Sequence, residues 1–284
     1  MSKNTPKTWF VTGASKGIGL SLVKHLLANG HRVVATSRSV EAFNGGLIDI
    51  AHDRFLPLAV DLTSETSVAE AIQLTVGAFG SIDVVVNNAG YGQQGTIEGL
   101  SDAELRSSFD VNVMAPLHVI RHALPYMRQR KSGHIINISS IVGFNGGYAG
   151  WGCYVSTKFA LAGMTESLAA EVKEFGIKAT VVYPGPIRTD FLSSGSLVVA
   201  KRQLPEYTEA QASLDLHLNE MDGRQAGDPE RVAAALLQLA EDANPPVHLF
   251  LGKIAVELAH AKMASVSEEL SEWEDTSKGA DFPI

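Results

Sequence analysis

The chain has 284 residues, 45% of them hydrophobic, and a formal net charge of -8. That composition supports a large buried core, and with no basic block anywhere along the chain nucleic-acid binding is not expected. A single cysteine, Cys153, excludes an internal disulfide and a cysteine-held structural zinc.

No apolar run approaches the roughly 20 residues that cross a bilayer, and the opening residues carry no long apolar segment, so a cytoplasmic protein without a membrane partner is expected. Taken in chain order, short apolar runs rich in β-branched residues at 8–12, 32–37, 55–60, 82–87, 134–139, 178–183 and 247–251 predict strands. Amphipathic stretches at 17–28, 64–79, 101–130, 152–175 and 229–241 predict helices long enough to cross over a parallel sheet. Strand interiors such as 83–86 are continuously apolar, as in a sheet covered on both faces. The expected architecture is α/β: a doubly wound parallel sheet of Rossmann type with about seven strands, helices on both faces, and a single domain over 1–284.

Between 188 and 227 the alternation lapses into Ser/Gly-rich and mixed polar sequence, which predicts a substrate-lid excursion. The segment 253–273 reads as a helix with Ile254, Leu258, Ala261, Leu270 and Trp273 on its apolar face, to be packed on the domain or on a neighbour, and a loose tail follows with Phe282 as its candidate anchor. His118 and His122 stand four apart in a predicted helix but have no third ligand, so no metal site is expected.

The first strand runs into Thr12-Gly13-Ala14-Ser15-Lys16-Gly17-Ile18-Gly19, followed by an apolar helix. Glycines at this spacing permit a tight turn and close backbone approach, and the exposed N–H groups of a helix start favour a phosphate-bearing ligand. Asn87-Asn88-Ala89-Gly90 follows the fourth strand, and Pro184-Gly185-Pro186-Ile187-Arg188-Thr189 leaves the sixth through a turn. Tyr154 and Lys158 lie four apart on a helix, hence on one face, where an ammonium stabilises phenolate and lowers the tyrosine pKa. Cys153, which adjoins them, has no dedicated base and reads as packing. The aromatics Tyr91, Phe144, Tyr148 and Trp151 surround this centre, as pocket lining for a substrate with apolar bulk or as core.

The TGxxxGxG spacing, the Asn88-Ala89-Gly90 segment and the Tyr154/Lys158 pair resemble the short-chain dehydrogenase/reductase family over nearly the whole chain. The resemblance implies a hydride transfer between a nicotinamide cofactor and a carbonyl or alcohol substrate. It assigns Tyr154 as the proton-exchanging group, Ser140 as hydrogen-bonding partner of the substrate oxygen, Lys158 as ligand of the nicotinamide ribose, and Asn112 as support of a water-linked proton path. Ser139 competes with Ser140, which is preferred because it directly precedes Ile141-Val142-Gly143.

On the same basis the cofactor is held by Gly13, Ser15, Lys16, Gly17, Ile18 and Gly19 around the pyrophosphate. Asp61 and Leu62 lie after the third strand near adenine, and Asn88, Ala89 and Gly90 near the adenosine. Pro184, Gly185, Ile187 and Thr189 complete the set beside the nicotinamide. No carboxylate stands where an NAD enzyme usually places one, and Arg38 with Lys16 can clamp a 2′-phosphate, so NADP(H) is expected in preference to NAD(H), although solvated surface cations are the competing reading. A homodimer or homotetramer through the helices at 101–130 and 152–175 is also implied. Two other functions remain: a nucleotide-sensing regulator on the same fold, opposed by the intact catalytic residue set, and an epimerase or dehydratase of the extended relatives, opposed by the short glycine spacing.

Overall fold

Every strand that opens this chain alternates its side chains between two apolar layers, and this determines where the helices pack. The computed structural model describes residues 6–43, 53–193 and 195–282. In chain order, β1 (Thr8–Val11) leads to α1 (Gly17–Ala28), β2 (Arg32–Ser37), β3 (Phe55–Ala59), α2 (Glu65–Phe79) and β4 (Val84–Asn87). A short β5 (Gly92–Gln94) precedes α3 (Asp102–Phe109), a π-turn at Asp110–Met114, α4 (Ala115–Arg130), β6 (Gly133–Ile138), α5 (Gly152–Val172) and β7 (Ile177–Pro184). The remainder comprises β8 (Leu197–Val199), α6 (Thr208–Asp215), α7 (Pro229–Glu241), β9 (His248–Leu251), α8 (Lys253–Glu272) and α9 (Glu274–Lys278).

The main sheet has the order β3-β2-β1-β4-β6-β7-β9, and all its pairings are parallel. Trp9 and Val11 point into one layer with Leu22 and Leu26 of α1 and Val232 and Leu236 of α7. Phe10 points into the other, with Ile72 of α2, Val119 and Met127 of α4 and Leu168 of α5. The chain builds outward from β1 to β3 and then returns to place β4 on the other side of β1. Their carboxyl ends therefore diverge, leaving the crevice where open α/β sheets bind ligands.

The structure corrects or sharpens four expectations. The stretch 101–130 is not one helix: α3 and α4 are joined by the π-turn, whose signature is the Ala115 N–H donating to the Asp110 carbonyl. Within the excursion at 188–227, β8 pairs in parallel with β5 and α6 follows it. In α8 the packed residues are Ala255, Ala259 and Leu258, against Ile141, Val142, Phe144 and Phe250, whereas Ile254, Ala261, Leu270 and Trp273 are exposed. Phe282 is exposed and anchors nothing. Among the described residues, no helix is long and apolar enough to cross a membrane.

Candidate active site

The glycine loop leaves β1 at the switch point and is tied down by the segment after β4. The Thr12 hydroxyl accepts the backbone N–H groups of Asn88 (3.0 Å) and Ala89 (3.1 Å), and the Asn88 side-chain amide donates to the carbonyls of Thr12 and Gly13, both at 3.0 Å. Gly13 adopts φ +62°, and a Cβ there would lie 2.7 Å from the Ala89 Cα, so only glycine fits. A Cβ on Gly19 would lie 2.4 Å from the Gly13 carbonyl oxygen. The turn thus delivers Ser15, Lys16, Gly17 and Ile18 to the start of α1, a helix with no acidic residue in its first turn and no side-chain cap. Uncapped N–H groups and a positive dipole end form a fitting cradle for a diphosphate.

The adjoining strands bring up the other predicted contacts. The Ala14 N–H donates to the Thr36 carbonyl, which ties the loop to β2, and Lys16 in the loop and Arg38 just past β2 are both exposed. Asp61 follows β3, and its carboxylate accepts the Thr63 N–H (2.9 Å) and hydroxyl (2.7 Å), bonds that hold its pKa below the usual value. Leu62 adjoins Thr12, Ala89 and Val111 around a small interior void beside the loop. From β7, Thr189 reaches back over the loop, so that a Cβ on Gly17 would meet it at 3.4 Å. Ile187 turns its side chain into the core, so a cofactor contact from this residue is a main-chain one. Gly185, next to Pro184, adjoins Ala255 of α8, so its small size also serves the approach of that helix.

The reacting groups converge one strand further along. Ser140 follows β6 and hydrogen-bonds the Tyr154 phenol, while its Oγ also accepts the Val142 N–H at 3.3 Å. Ser139 points elsewhere: it is buried and donates to the Lys158 carbonyl at 2.9 Å, which fastens α5 to β6. Lys158 is buried, its Nζ donates to the Ile138 carbonyl at 3.0 Å, and it lies 5.6 Å from the centroid of the Tyr154 ring. Asn112, in the π-turn, accepts the Tyr91 N–H (3.0 Å) and donates to the Tyr91 carbonyl (2.9 Å) and the Thr157 hydroxyl (3.1 Å). Gly90 sits between the two groups, since a Cβ there would lie 3.0 Å from Asn112 Oδ1 and 3.5 Å from Lys158 Nζ.

Electrostatics departs from the expectation of an acidified phenol. Burial pushes the Tyr154 pKa above the ordinary value, and the hydrogen bond from Ser140 opposes this. Burial also lowers Lys158, to about 8. The ammonium faces the tyrosine ring and is engaged by the Ile138 carbonyl, so desolvation outweighs its influence on the phenol.

Around Tyr154 the wall is aromatic. Trp151 lies edge-on at 6.0 Å between ring centroids and Phe191 at 6.0 Å, while His217 packs on Trp151 at 4.7 Å. Phe191 and His217 belong to the excursion and were missed in the sequence because that segment has no repeating pattern. Phe144 instead packs with Tyr183 and Phe250, which makes it core. Cys153 is buried beside Leu100 and Ala200, and burial raises its thiol pKa.

Residues 7–196 match the family model described as short chain dehydrogenase. Oxidoreductase BOA17 of Botryotinia fuckeliana is 35% identical over 273 residues, covering 95% of this chain and 98% of its own. A short-chain dehydrogenase from Streptomyces avermitilis superposes with a TM-score of 0.90 at 35% identity over 98% of this chain and all of its own. ElxO with NADP bound superposes at 0.71 with 27% identity, covering 87% and 96%.

Proposed function

This chain belongs to the short-chain dehydrogenase family of oxidoreductases, and from that premise we propose that it is an NADP(H)-dependent enzyme that interconverts a carbonyl and an alcohol on a small molecule with apolar bulk. The observation that carries this reading is the convergence of Ser140, Tyr154 and Lys158 beside the glycine loop, at the carboxyl ends of the central strands. The bound nicotinamide supplies or accepts the hydride.

The chain's own residues perform the proton chemistry. Tyr154, protonated at neutral pH, donates its proton to the developing alkoxide oxygen, or takes one from an alcohol in the reverse direction. Ser140, already paired with the phenol, orients the same substrate oxygen and stabilises its charge. Lys158 balances the charge left on the phenolate, and its buried ammonium acts there with little solvent screening. Asn112 fixes the backbone at Tyr91 and the Thr157 hydroxyl, which steadies the face of α5 that presents Tyr154 and Lys158. Trp151 and Phe191 shield the centre from water and offer ring surface to the substrate. Gly13 to Gly19 would hold the diphosphate, Thr189 would reach the nicotinamide, and Lys16 and Arg38 would hold the 2′-phosphate.

The test is the initial rate of NADPH and NADH oxidation across aliphatic, aromatic and bulky cyclic carbonyls, for the wild type and Tyr154→Phe. Turnover with NADPH that falls roughly 10²–10⁴-fold in the variant is the expected result. Tight NADPH binding without turnover of any carbonyl favours a sensing role, and unchanged activity in Tyr154→Phe overturns the mechanism.

A further inference from the structure

Beyond Ala259, α8 leaves the body of the protein. Its buried residues are Ala255 and Ala259, and from His260 to Glu272 every side chain except the half-buried Lys262 is exposed. This free part is not polar. Met263 is 49%, Val266 44%, Leu270 63% and Trp273 61% exposed, and Val256, at 42%, stands one heptad before Met263. The intervals from 263 to 273 run three, four, three, the spacing of a helix-pairing seam.

Charge says what the seam pairs with. The first half of α8 carries Lys253, His260 and Lys262, whereas Glu268, Glu269, Glu272, Glu274 and Asp275 crowd its end. Glu257 and Lys278 run against this trend, and each is paired four residues away, with Lys253 and Glu274. Acidic side chains at a helix C-terminus oppose the macrodipole, so α8 alone is electrostatically mismatched at its free end. An antiparallel copy of the same helix removes the mismatch by laying its basic N-terminal half alongside. A parallel copy sets acid against acid, and an anionic lipid surface repels the same cluster.

We propose that α8 is a self-association element, in which two copies of this chain pair their α8 helices antiparallel about a two-fold axis between Met263 and Val266. In this register Met263 meets the partner's Val266 and Val256 meets the partner's Trp273, while Leu270 comes over the partner's Ala259 at the edge of the body. Lys262 faces the partner's Glu269, and Lys253 faces the partner's Glu274. The two halves of one sequence complement each other about one midpoint in both apolar and charged positions, which an interface with an unrelated protein does not require.

Sedimentation equilibrium of the full chain over a concentration series tests this. Val266→Glu, which alters a residue exposed in the single chain, is expected to remove one doubling of mass. Lys262→Glu and Glu269→Lys are each expected to weaken that step roughly tenfold, and the double variant to restore it, because each change strikes two symmetric ion pairs. Trp9 and Trp151 are buried, so acrylamide quenching reports on Trp273. Protection of Trp273 that grows with concentration and is lost in Val266→Glu supports the pairing. Identical masses for wild type and Val266→Glu at every concentration, or a double variant no better than the singles, overturns it.

Discussion

Burial drives Tyr154 and Lys158 toward neutrality from opposite sides, and the two shifts have opposite consequences for stability. Lys158 titrates near pH 8 in the folded chain against an ordinary 10.5, so between these values the unfolded chain holds a proton that the folded one lacks. Stability contributed by this residue therefore rises with pH across that window and is at its lowest below it. Tyr154 is raised, so from its ordinary value of 10.0 upward the folded chain holds the extra proton and stability falls. The unfolding free energy of the wild type, followed by urea from about pH 8 to about pH 10, should rise relative to Lys158→Met, with a slope of at most about 1.4 kcal/mol per pH unit. Parallel profiles would mean that the buried ammonium is solvated after all. Under the proposed mechanism the same residue sets an upper pH limit on reduction, because a neutral Lys158 would no longer balance the phenolate that Tyr154 leaves behind.

At the scale of elements, one carboxylate ties the excursion at 188–227 to the start of α3. Glu104 closes a capping box at the start of α3, accepting the Ser101 N–H at 2.8 Å through one oxygen, and with the other accepts the Lys201 N–H at the end of β8, at 2.9 Å. A glutamine still closes a capping box, so Glu104→Gln should leave α3 intact while weakening the charged bond to the excursion, the proposed substrate lid. Amide exchange should then quicken around residues 199–203 and the substrate KM should rise with kcat little changed, whereas Ser101→Ala should cost about 1 kcal/mol of stability without that signature. This coupling was not legible in the sequence, and the reason is physical. β5 and β8 are short strands, Gly-Gln-Gln and Leu-Val-Val, whose pairing joins residues about a hundred positions apart and leaves no local period. The π-turn has ordinary helical composition, so Asn112 was legible by type but not by the widened turn that holds it. In α8 the predicted stripe merged two faces: Leu270 and Trp273 continue the face of Ala255 and Ala259 beyond the body, whereas Ile254 and Ala261 lie on the other side of the helix. The buried strands were legible because each carries its two-faced burial in its own residues, as Trp9 and Phe10 do by facing opposite layers.

For the whole molecule, the switch point between β1 and β4 gathers motifs dispersed over nearly two hundred residues into one cleft, and a dinucleotide filling that cleft should bind only the folded chain. Its binding is then a stability term: at a hundred times the dissociation constant it adds about 2.7 kcal/mol, which for a domain of this size raises the melting temperature by roughly 5–10 °C. The net charge of -8 opposes a polyanionic ligand at long range, so the local cations must provide the attraction. Lys16 and Arg38 are exposed on neighbouring elements, and in the proposed reading they meet the 2′-phosphate that distinguishes NADPH from NADH. At equal concentrations NADPH should therefore raise the melting temperature more than NADH, and the gap should narrow with added salt because both cations are exposed. Lys16→Ala with Arg38→Ala should close the gap and leave the NADH shift in place. A gap that survives the double substitution would assign the 2′-phosphate to other residues, and a larger shift with NADH would reverse the cofactor preference proposed for this chain.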